Sequence, residues 1–376
     1  MKKVLIISFF NSTNIGDRAI CDVLTQEIEK IAQISKLDIS GKLLADIDLV
    51  NAQREEVVKK SKFYNIKSVL SLRWAGRFNL ARQLIKDCDV VLLAGGNMIM
   101  DLEPFSYYSF LCNKYVEIAK KMHKKVVFAF VGAGKVRTRW QSKRWKRALE
   151  KSDFITVRDS ISKQFLIHNL GVRKPIAVWK DPVFVLERSR RKKRTKTVAI
   201  NIYLDAVASV EEKGRLKNTY LYLIERIKKR YNVVLFSTEI NDEPGVKDVY
   251  RSLASTDGVS VVLPKTLEEL LSFYQEIDFI LATRMHSFII AITQSIPMIA
   301  LAWEKKIYGV SADIGLSDVV FDIHKANEEK EHILADVCAI LDEYDESVKR
   351  IEEISERVKA DFIAYREQLK DILFEG

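Results

Sequence analysis

Asp89-Val90-Val91-Leu92-Leu93-Ala94-Gly95-Gly96-Asn97 is the stretch that decides the fold. Its apolar run lacks the alternation of a half-exposed strand, so the strand must be covered on both faces, as in a parallel sheet. Runs of the same kind occur at Val4–Phe9, Val126–Val131 and Phe154–Val157. They return at Val198–Ile202, Val233–Phe236, Val259–Leu263, Phe279–Ala282 and Met298–Leu301, with helical patterns between them. Strands alternating with helices build doubly wound sheets, and two series of strands predict an α/β chain of two Rossmann-like domains. A length of 376 residues with 48% apolar side chains also exceeds one ordinary core.

The stretch Arg188-Ser189-Arg190-Arg191-Lys192-Lys193-Arg194-Thr195-Lys196 is too charged for a core and separates the two series. The expected organisation is an amino-terminal domain over 1–187, a basic linker over 188–196, a carboxyl-terminal domain over 197–325, and helices over 326–376 that pack on the domains. Ile333, Leu334, Val337, Ile340 and Leu341 fall at helix-face spacing in that last segment.

The formal charge of +10 suits a polyanion, an anionic membrane surface or a phosphorylated substrate. Cys21, Cys88, Cys112 and Cys338 form no Cys-x-x-Cys pair and no zinc spacing, so reduced thiols, a cytoplasmic location and no metal are expected. Val4–Phe10 after Lys2-Lys3 runs into Asn11-Ser12-Thr13-Asn14 without a cleavage site and reads as a first strand rather than a signal peptide. The longest apolar window, 277–302, is broken by Arg284 and His286, so no membrane span is expected.

In open parallel sheets ligands bind beyond the carboxyl ends of strands, and five such loops carry unusual residues. Asn14-Ile15-Gly16-Asp17 leads into a helix; Asp17 fits either a helix cap or a group that accepts a proton or a sugar hydroxyl. Gly95-Gly96 lets a ligand approach backbone amides, and Gly132-Ala133-Gly134-Lys135 could do the same or be only a turn. Val157-Arg158-Asp159-Ser160 puts an Arg at a strand end before a helix capped by Asp159 or Ser160. Thr283-Arg284-Met285-His286-Ser287 places cations in an otherwise apolar passage, where they would be costly without partners.

Lys306, just beyond the strand at Met298–Leu301, can sit near His286 from a neighbouring strand. The expected ligand site is a cleft between the domains, centred on residues 283–287, with Arg158, His286 and Lys306 as cations and Asp17 as a carboxylate opposite. Each charge-assisted hydrogen bond to an anion is worth roughly 1.5–3 kcal/mol, so this set can hold a small phosphorylated anion without a nucleotide handle or a metal.

Taken in order, Asn14-Ile15-Gly16-Asp17-Arg18-Ala19-Ile20, Gly95-Gly96, Val157-Arg158-Asp159-Ser160, Lys180-Asp181-Pro182-Val183-Phe184 and Arg284-Met285-His286-Ser287 with Lys306 resemble the polysaccharide pyruvyl transferase family over roughly residues 1–320. The resemblance implies a glycosyltransferase-B-like fold of two Rossmann-like domains facing a cleft. It also implies transfer of the pyruvyl group of phosphoenolpyruvate to two hydroxyls of a saccharide, forming a ketal in cell-surface polysaccharide biosynthesis. Phosphoenolpyruvate is then a donor substrate and no cofactor is called for. Carried over, Arg158, His286 and Lys306 serve the donor; the chemistry itself suggests that Asp17 assists the acceptor hydroxyl. From their places in the strand-end loops Asn14, Gly16, Gly95, Gly96, Arg284 and Ser287 are expected to bind substrate, and protonation of an enol ether calls for a general acid, for which His286 is the candidate that supplies or relays the proton. Asn97, where the family commonly has a third glycine, and the shortened Gly132-Ala133-Gly134 are departures.

Lys62, Lys67, Arg73, Arg77, Arg82 and Lys86 stand without an acid among Phe63, Tyr64, Trp74 and Phe78, and Lys135 to Arg147 repeats this composition around Trp140 and Trp145. These segments fit two solvated helix faces, or peripheral docking on the inner face of an anionic cell membrane that would present a lipid-linked saccharide acceptor. No nucleic-acid module is present. Two other functions compete: a nucleotide-sugar glycosyltransferase of the same architecture, although Glu304 lacks a second Glu eight residues on, where Ala312 stands, and a non-enzymatic scaffold for anionic polymers or membranes.

Overall fold

The computed structural model describes residues 1–41, 44, 73–101, 103–104, 106–189 and 194–374. The chain divides into two compact units: Met1–Thr13, Asp17–Pro182 and Asp361–Gly376 form the first, and Asn14–Gly16 with Val183–Ala360 form the second.

The first unit contains β1 (Lys3–Ser8), α1 (Ile15–Glu29), β2 (Gln33–Asp38), α2 (Arg73–Asp87), β3 (Val90–Ala94), β4 (Ile99–Asp101), α3 (Tyr108–Lys121), β5 (Lys125–Val131), β6 (Ala133–Val136), α4 (Arg139–Lys151), β7 (Phe154–Val157), α5 (Ser160–Gln164) and β8 (Ala177–Val178). Six strands form a parallel sheet in the order β2-β1-β3-β5-β7-β8. All of β3 is buried, as its unbroken apolar run requires. β4 and β6 form a separate parallel ribbon beyond the carboxyl ends of β3 and β5. β5 carries a bulge between Phe128 and Val131, where Phe130 takes a positive φ of 55° and its amide donates to Thr156 Oγ1 at 2.8 Å. The bulge turns the Phe130 ring onto Phe362, with centroids 5.3 Å apart, so the end of the last helix belongs to this core.

The second unit contains β9 (Thr197–Asn201), α6 (Val210–Ile227), β10 (Asn232–Phe236), α7 (Glu243–Arg251), β11 (Val259–Val262), α8 (Leu267–Tyr274), β12 (Phe279–Ala282), α9 (Met285–Thr293), β13 (Met298–Ala302), α10 (Lys305–Ile314), β14 (Val320–Asp322), α11 (Lys330–Asp342) and the start of α12 (Tyr344–Phe374). Its parallel strands run β11-β10-β9-β12-β13-β14, the doubly wound order that reverses between β9 and β12. Ser209 with Glu212 and Thr266 with Glu269 start α6 and α8 with side-chain caps.

Two boundaries differ from the sequence expectation. The division falls at Pro182/Val183, and the described ends of the basic stretch lie within the second unit rather than between units. Ser189 donates to Gln294 Oε1 at 2.9 Å, Arg188 pairs with Glu352, and the Thr195 amide donates to Asp278 Oδ2 at 3.0 Å. The sequence marks this stretch as charged, but its partners are distant along the chain. The helical tail, expected as one segment over 326–376, is also shared: α11 and α12 up to Ala360 belong to the second unit, and the rest to the first. No helix among the described residues is long and apolar enough to cross a membrane.

Gly95 adopts φ +72°, and a methyl group there would stand 2.2 Å from Ile20 Cγ2. Left-handed strain and overpacking together predict that Gly95→Ala lowers stability by about 2–4 kcal/mol. Urea denaturation measures the loss; an unchanged midpoint would show that the packing of α1 on β3 yields without cost.

Candidate functional site

In the first unit, strand order reverses between β1 and β3, the point where an open sheet parts its loops. Ser8 Oγ donates to the Ala94 carbonyl at 2.6 Å and ties the two strand ends together. Gly95 and Gly96 follow, both with positive φ. Asp17, in the first turn of α1, accepts from Ser12 Oγ at 3.2 Å. Gly96 has φ +62°, and a methyl there would stand 2.7 Å from the Phe9 ring and in ordinary contact, 3.4 Å, with Asp17 Oδ1, so the backbone and Phe9 together call for glycine. Asp17 and the Gly95-Gly96 turn are thus brought together.

Arg158 stands at the end of β7, but the residue is 2% exposed and its guanidinium has two partners within the unit. Nη1 lies 2.9 Å from Asp181 Oδ2, and Nη2 donates to Asn97 Oδ1 at 2.5 Å. Asp159 caps α5 by accepting from the Ser162 amide at 2.6 Å. A methyl at Gly132 would stand 2.8 Å from Asn97 Oδ1 and 3.0 Å from Arg158 Nε, which explains why Asn97 and Gly132 occur together here. Arg158, expected to serve a ligand, is thus placed in a buried internal ion pair. Removing one partner of such a pair costs about 3–5 kcal/mol.

In the second unit the reversal lies between β9 and β12, and Asn201 spans it. Its Oδ1 accepts from the amides of Arg284 at 2.9 Å and Thr283 at 3.3 Å, while Thr283 Oγ1 donates to the Asn201 carbonyl at 2.8 Å. Arg284 is gripped by Asp242, with Nε to Oδ2 at 2.8 Å and Nη2 to Oδ1 at 2.6 Å, and its guanidinium lies 3.6 Å from the centre of the Tyr203 ring. Burial pushes the Asp242 carboxyl up to about 6, against the pull of Arg284. Trp303 meets Tyr203 edge-on at 5.3 Å.

His286 lies in the first turn of α9 and is 8% exposed. Asn14–Gly16 packs here: the Ile15 amide donates to the Thr238 carbonyl at 3.0 Å, Asn14 bridges Glu239, and Asn14 Oδ1 accepts from the Gly16 amide at 2.8 Å. A methyl at Gly16 would fall 2.1 Å from His286 Nδ1, so the missing side chain is the space that the imidazole fills. Lys306, in the first turn of α10, is 4% exposed, with Nζ 3.8 Å from Glu304 Oε2. Neither α9 nor α10 has a side-chain cap at its amino end. Ser287 stands apart from this set: it is fully buried and its hydroxyl lies 3.0 Å from that of Tyr274, a core partner.

Sequence reasoning missed Asn201, Tyr203 and Asp242. Asn201 ends the apolar run Val198–Ile200, and Asp242 follows the strand Val233–Phe236 just before Pro244, so the strand-end rule reaches both. Among the described residues no three His, Cys, Asp or Glu side chains gather as metal ligands would.

Two doubly wound parallel sheets, each with its polar groups at the strand-order reversal, define a glycosyltransferase-B-type fold. Solved structures of that architecture are similar to the chain throughout. They include an alpha-glucosyltransferase in complex with UDP and a 13-mer DNA (10% identity, TM-score 0.57, 100% of both chains). The UDP-GlcNAc 2-epimerase of Neisseria meningitidis is another (14%, 0.53, 97% of this chain and 100% of that one), as is Acinetobacter baumannii MurG (9%, 0.52, 100% of both). At such identities the likeness shows the fold alone. No curated protein sequence matches the chain. The sequence model of the family described as polysaccharide pyruvyl transferase matches residues 14–305; the chain belongs to that family and is a transferase.

Two outcomes follow from this geometry. Gly16→Ala must displace the His286 ring, and its kcat/KM for saccharide pyruvylation should fall at least about 100-fold. Gly214→Ala, with nothing within 4 Å, serves as the control. Near-parental turnover in Gly16→Ala would rule out a role for the ring's position. As pH falls through about 6, Asp242 takes up a proton and loosens its hold on Arg284. Between that value and the ordinary carboxyl value of 3.8 the folded chain keeps a proton that the unfolded chain has released, so this group favours the fold more strongly toward acid. Activity should nevertheless decline there, and Asp242→Asn should flatten that acid limb at a lower plateau; an unaltered pH profile in the variant would remove Asp242 from the account.

Proposed function

We propose that the chain transfers the pyruvyl group of phosphoenolpyruvate onto two hydroxyls of a saccharide to form a pyruvate ketal and release phosphate. The observation that carries this reading is the placement of His286 at the second unit's strand-order reversal, its ring fixed by the bare backbone of Gly16.

The chemistry suits these groups. A proton added to the methylene carbon of the enol phosphate leaves an oxocarbenium-like centre at C2, and a saccharide hydroxyl oxygen bonds to it. The bond from C2 to the phosphate oxygen then breaks, and a second hydroxyl oxygen closes the ketal. Of the two hydroxyl protons, one balances the proton gained by the new methyl group and the other leaves with phosphate. The exchange is redox-neutral, so phosphoenolpyruvate is consumed as the donor substrate and no redox cofactor is called for.

His286 is the proposed general acid. Lys306 and the uncapped amino ends of α9 and α10 face the donor's carboxylate and departing phosphate, since cations and first-turn amides both favour anions. Arg284, fixed by Asp242 and Tyr203, is a preorganised anion contact. Asp17, against the Gly95-Gly96 turn, is the proposed partner of an acceptor hydroxyl. Arg158 is a positioning residue that shapes Asn97 and Gly132 through its pair with Asp181.

Phosphate release from phosphoenolpyruvate in the presence of saccharides tests the assignment. His286→Ala should lower kcat by about 100- to 10,000-fold, while Lys306→Ala should mainly raise KM for the donor. In a thermal-shift experiment phosphoenolpyruvate should stabilise the parent chain and uridine diphosphate should not; the opposite ranking would favour nucleotide-sugar glycosyl transfer.

A further inference from the structure

The transfer chemistry leaves the outer face of α4 unused. Lys135, Arg137, Arg139, Lys143, Arg144, Lys146 and Arg147 follow one another without an intervening acid. The inner face of this segment is firmly anchored. Thr138 and Gln141 form a capping box, Gln141 also donates to the Glu103 carbonyl at 3.0 Å, and the buried Trp145 donates from Nε1 to Asp101 Oδ2 at 2.7 Å. The outer face carries the exposed side chains of Arg137, Arg139, Lys143 and Arg147. No carboxylate among the described residues pairs with these four. Trp140 stands among them, 44% exposed, with the Arg144 guanidinium 4.3 Å from its ring centre and 5.2 Å from that of Phe110.

Helix physics disfavours this arrangement in isolation. Arg139, Lys143 and Arg147 repeat at four-residue intervals, where like charges repel on one face. Arg139 also opens the helix, and the first turn has no acid, which opposes the helix dipole. An external anionic surface would convert both costs into attraction.

We infer that this face docks on an anionic lipid surface. Trp140 selects a bilayer over a soluble polyanion, because a half-exposed indole ring among cations fits the boundary between headgroups and acyl chains. The β4–β6 ribbon joins the start of α4 to the Gly96–Gly132 turn: the Gly132 amide donates to the Gly96 carbonyl at 2.8 Å and the Arg137 amide to the Asp101 carbonyl at 3.0 Å. A docked α4 therefore sets the first unit's acceptor turn beside the membrane, where a lipid-linked saccharide would be presented. That last consequence rests on the proposed function; the docking does not.

Sedimentation of the full chain with vesicles tests the inference. Binding is expected to vesicles containing phosphatidylglycerol and not to pure phosphatidylcholine, weakening as salt rises. The triple variant Arg139→Glu, Lys143→Glu, Arg147→Glu should lose at least tenfold in partition, and Trp140→Ala several-fold. Both should keep the parental melting temperature and the parental phosphate release with a soluble saccharide acceptor. That readout separates docking from transfer: loss of vesicle binding with intact turnover concerns docking alone. Equal binding of parent and triple variant overturns the inference. So does equal partition into both vesicle types, or displacement by a soluble anionic polysaccharide combined with indifference to Trp140→Ala, which would assign the face to a polymer.

Discussion

A strand covered on both faces has no room for a polar side chain, so its polar groups must collect at its ends. β3 and β12 are buried along their whole lengths, and the chain turns polar within three residues of each end. Where strand order reverses, neighbouring loops leave in opposite directions and the hydrogen-bond ladder is opened. Each unit closes that gap with a side chain: Ser8 reaches the Ala94 carbonyl in the first, and the Asn201 amide group accepts two backbone amides in the second. An amide left buried without such a partner would cost about 1–3 kcal/mol. The candidate site is built on this repair, since Thr283 and Arg284 are the residues whose amides Asn201 holds.

The same constraint explains why two arginines at comparable strand ends behave differently. Arg158 meets Asp181 and Asn97 at almost complete burial, so the pair shapes the loop around Gly132. Arg284 is gripped on its Nε and Nη2 edge by Asp242 and rests its flat face on Tyr203. A guanidinium fixed in that way loses little freedom when an anion arrives, which is what preorganisation requires. Lys306, a point charge on a flexible stem, gains equivalent constraint from burial in the first turn of α10.

Much of this was legible in the sequence because the signals are local. Unbroken apolar runs gave the central strands, and glycines or charges just beyond them marked the loops. The edge strand β2 escaped notice because Gln33, Ser35 and Lys36 dilute its apolar residues, as suits a strand covered less fully. β14 was hidden by its length, Val320–Asp322. The roles of Asp242, Asn201 and Asp181 depend on partners 42, 83 and 23 residues away, and no spacing rule reports such pairs. The basic stretch around Arg188 was visible, but its attachment to Gln294 and Glu352 was not.

Gly16 shows what a motif means once its surroundings are known. As a sequence feature it stood only among the expected substrate-binding residues. Its φ lies outside the left-handed region, so backbone freedom is not the reason for glycine here. The requirement is steric, because the imidazole of His286 occupies the volume that any side chain would take. The Asn14 side chain closes on the Gly16 amide and the Ile15 amide is spent on Thr238, so the segment is held in place before a ligand binds. A histidine packed against fixed backbone keeps its orientation, whereas one in an open loop would have to lose rotamer freedom at each turnover. On the proposed role of His286 the glycine acts on the reaction through the ring it accommodates, and a single methyl group at this position, which also meets His286 Cβ at 2.4 Å, should be felt in kcat/KM as well as in stability.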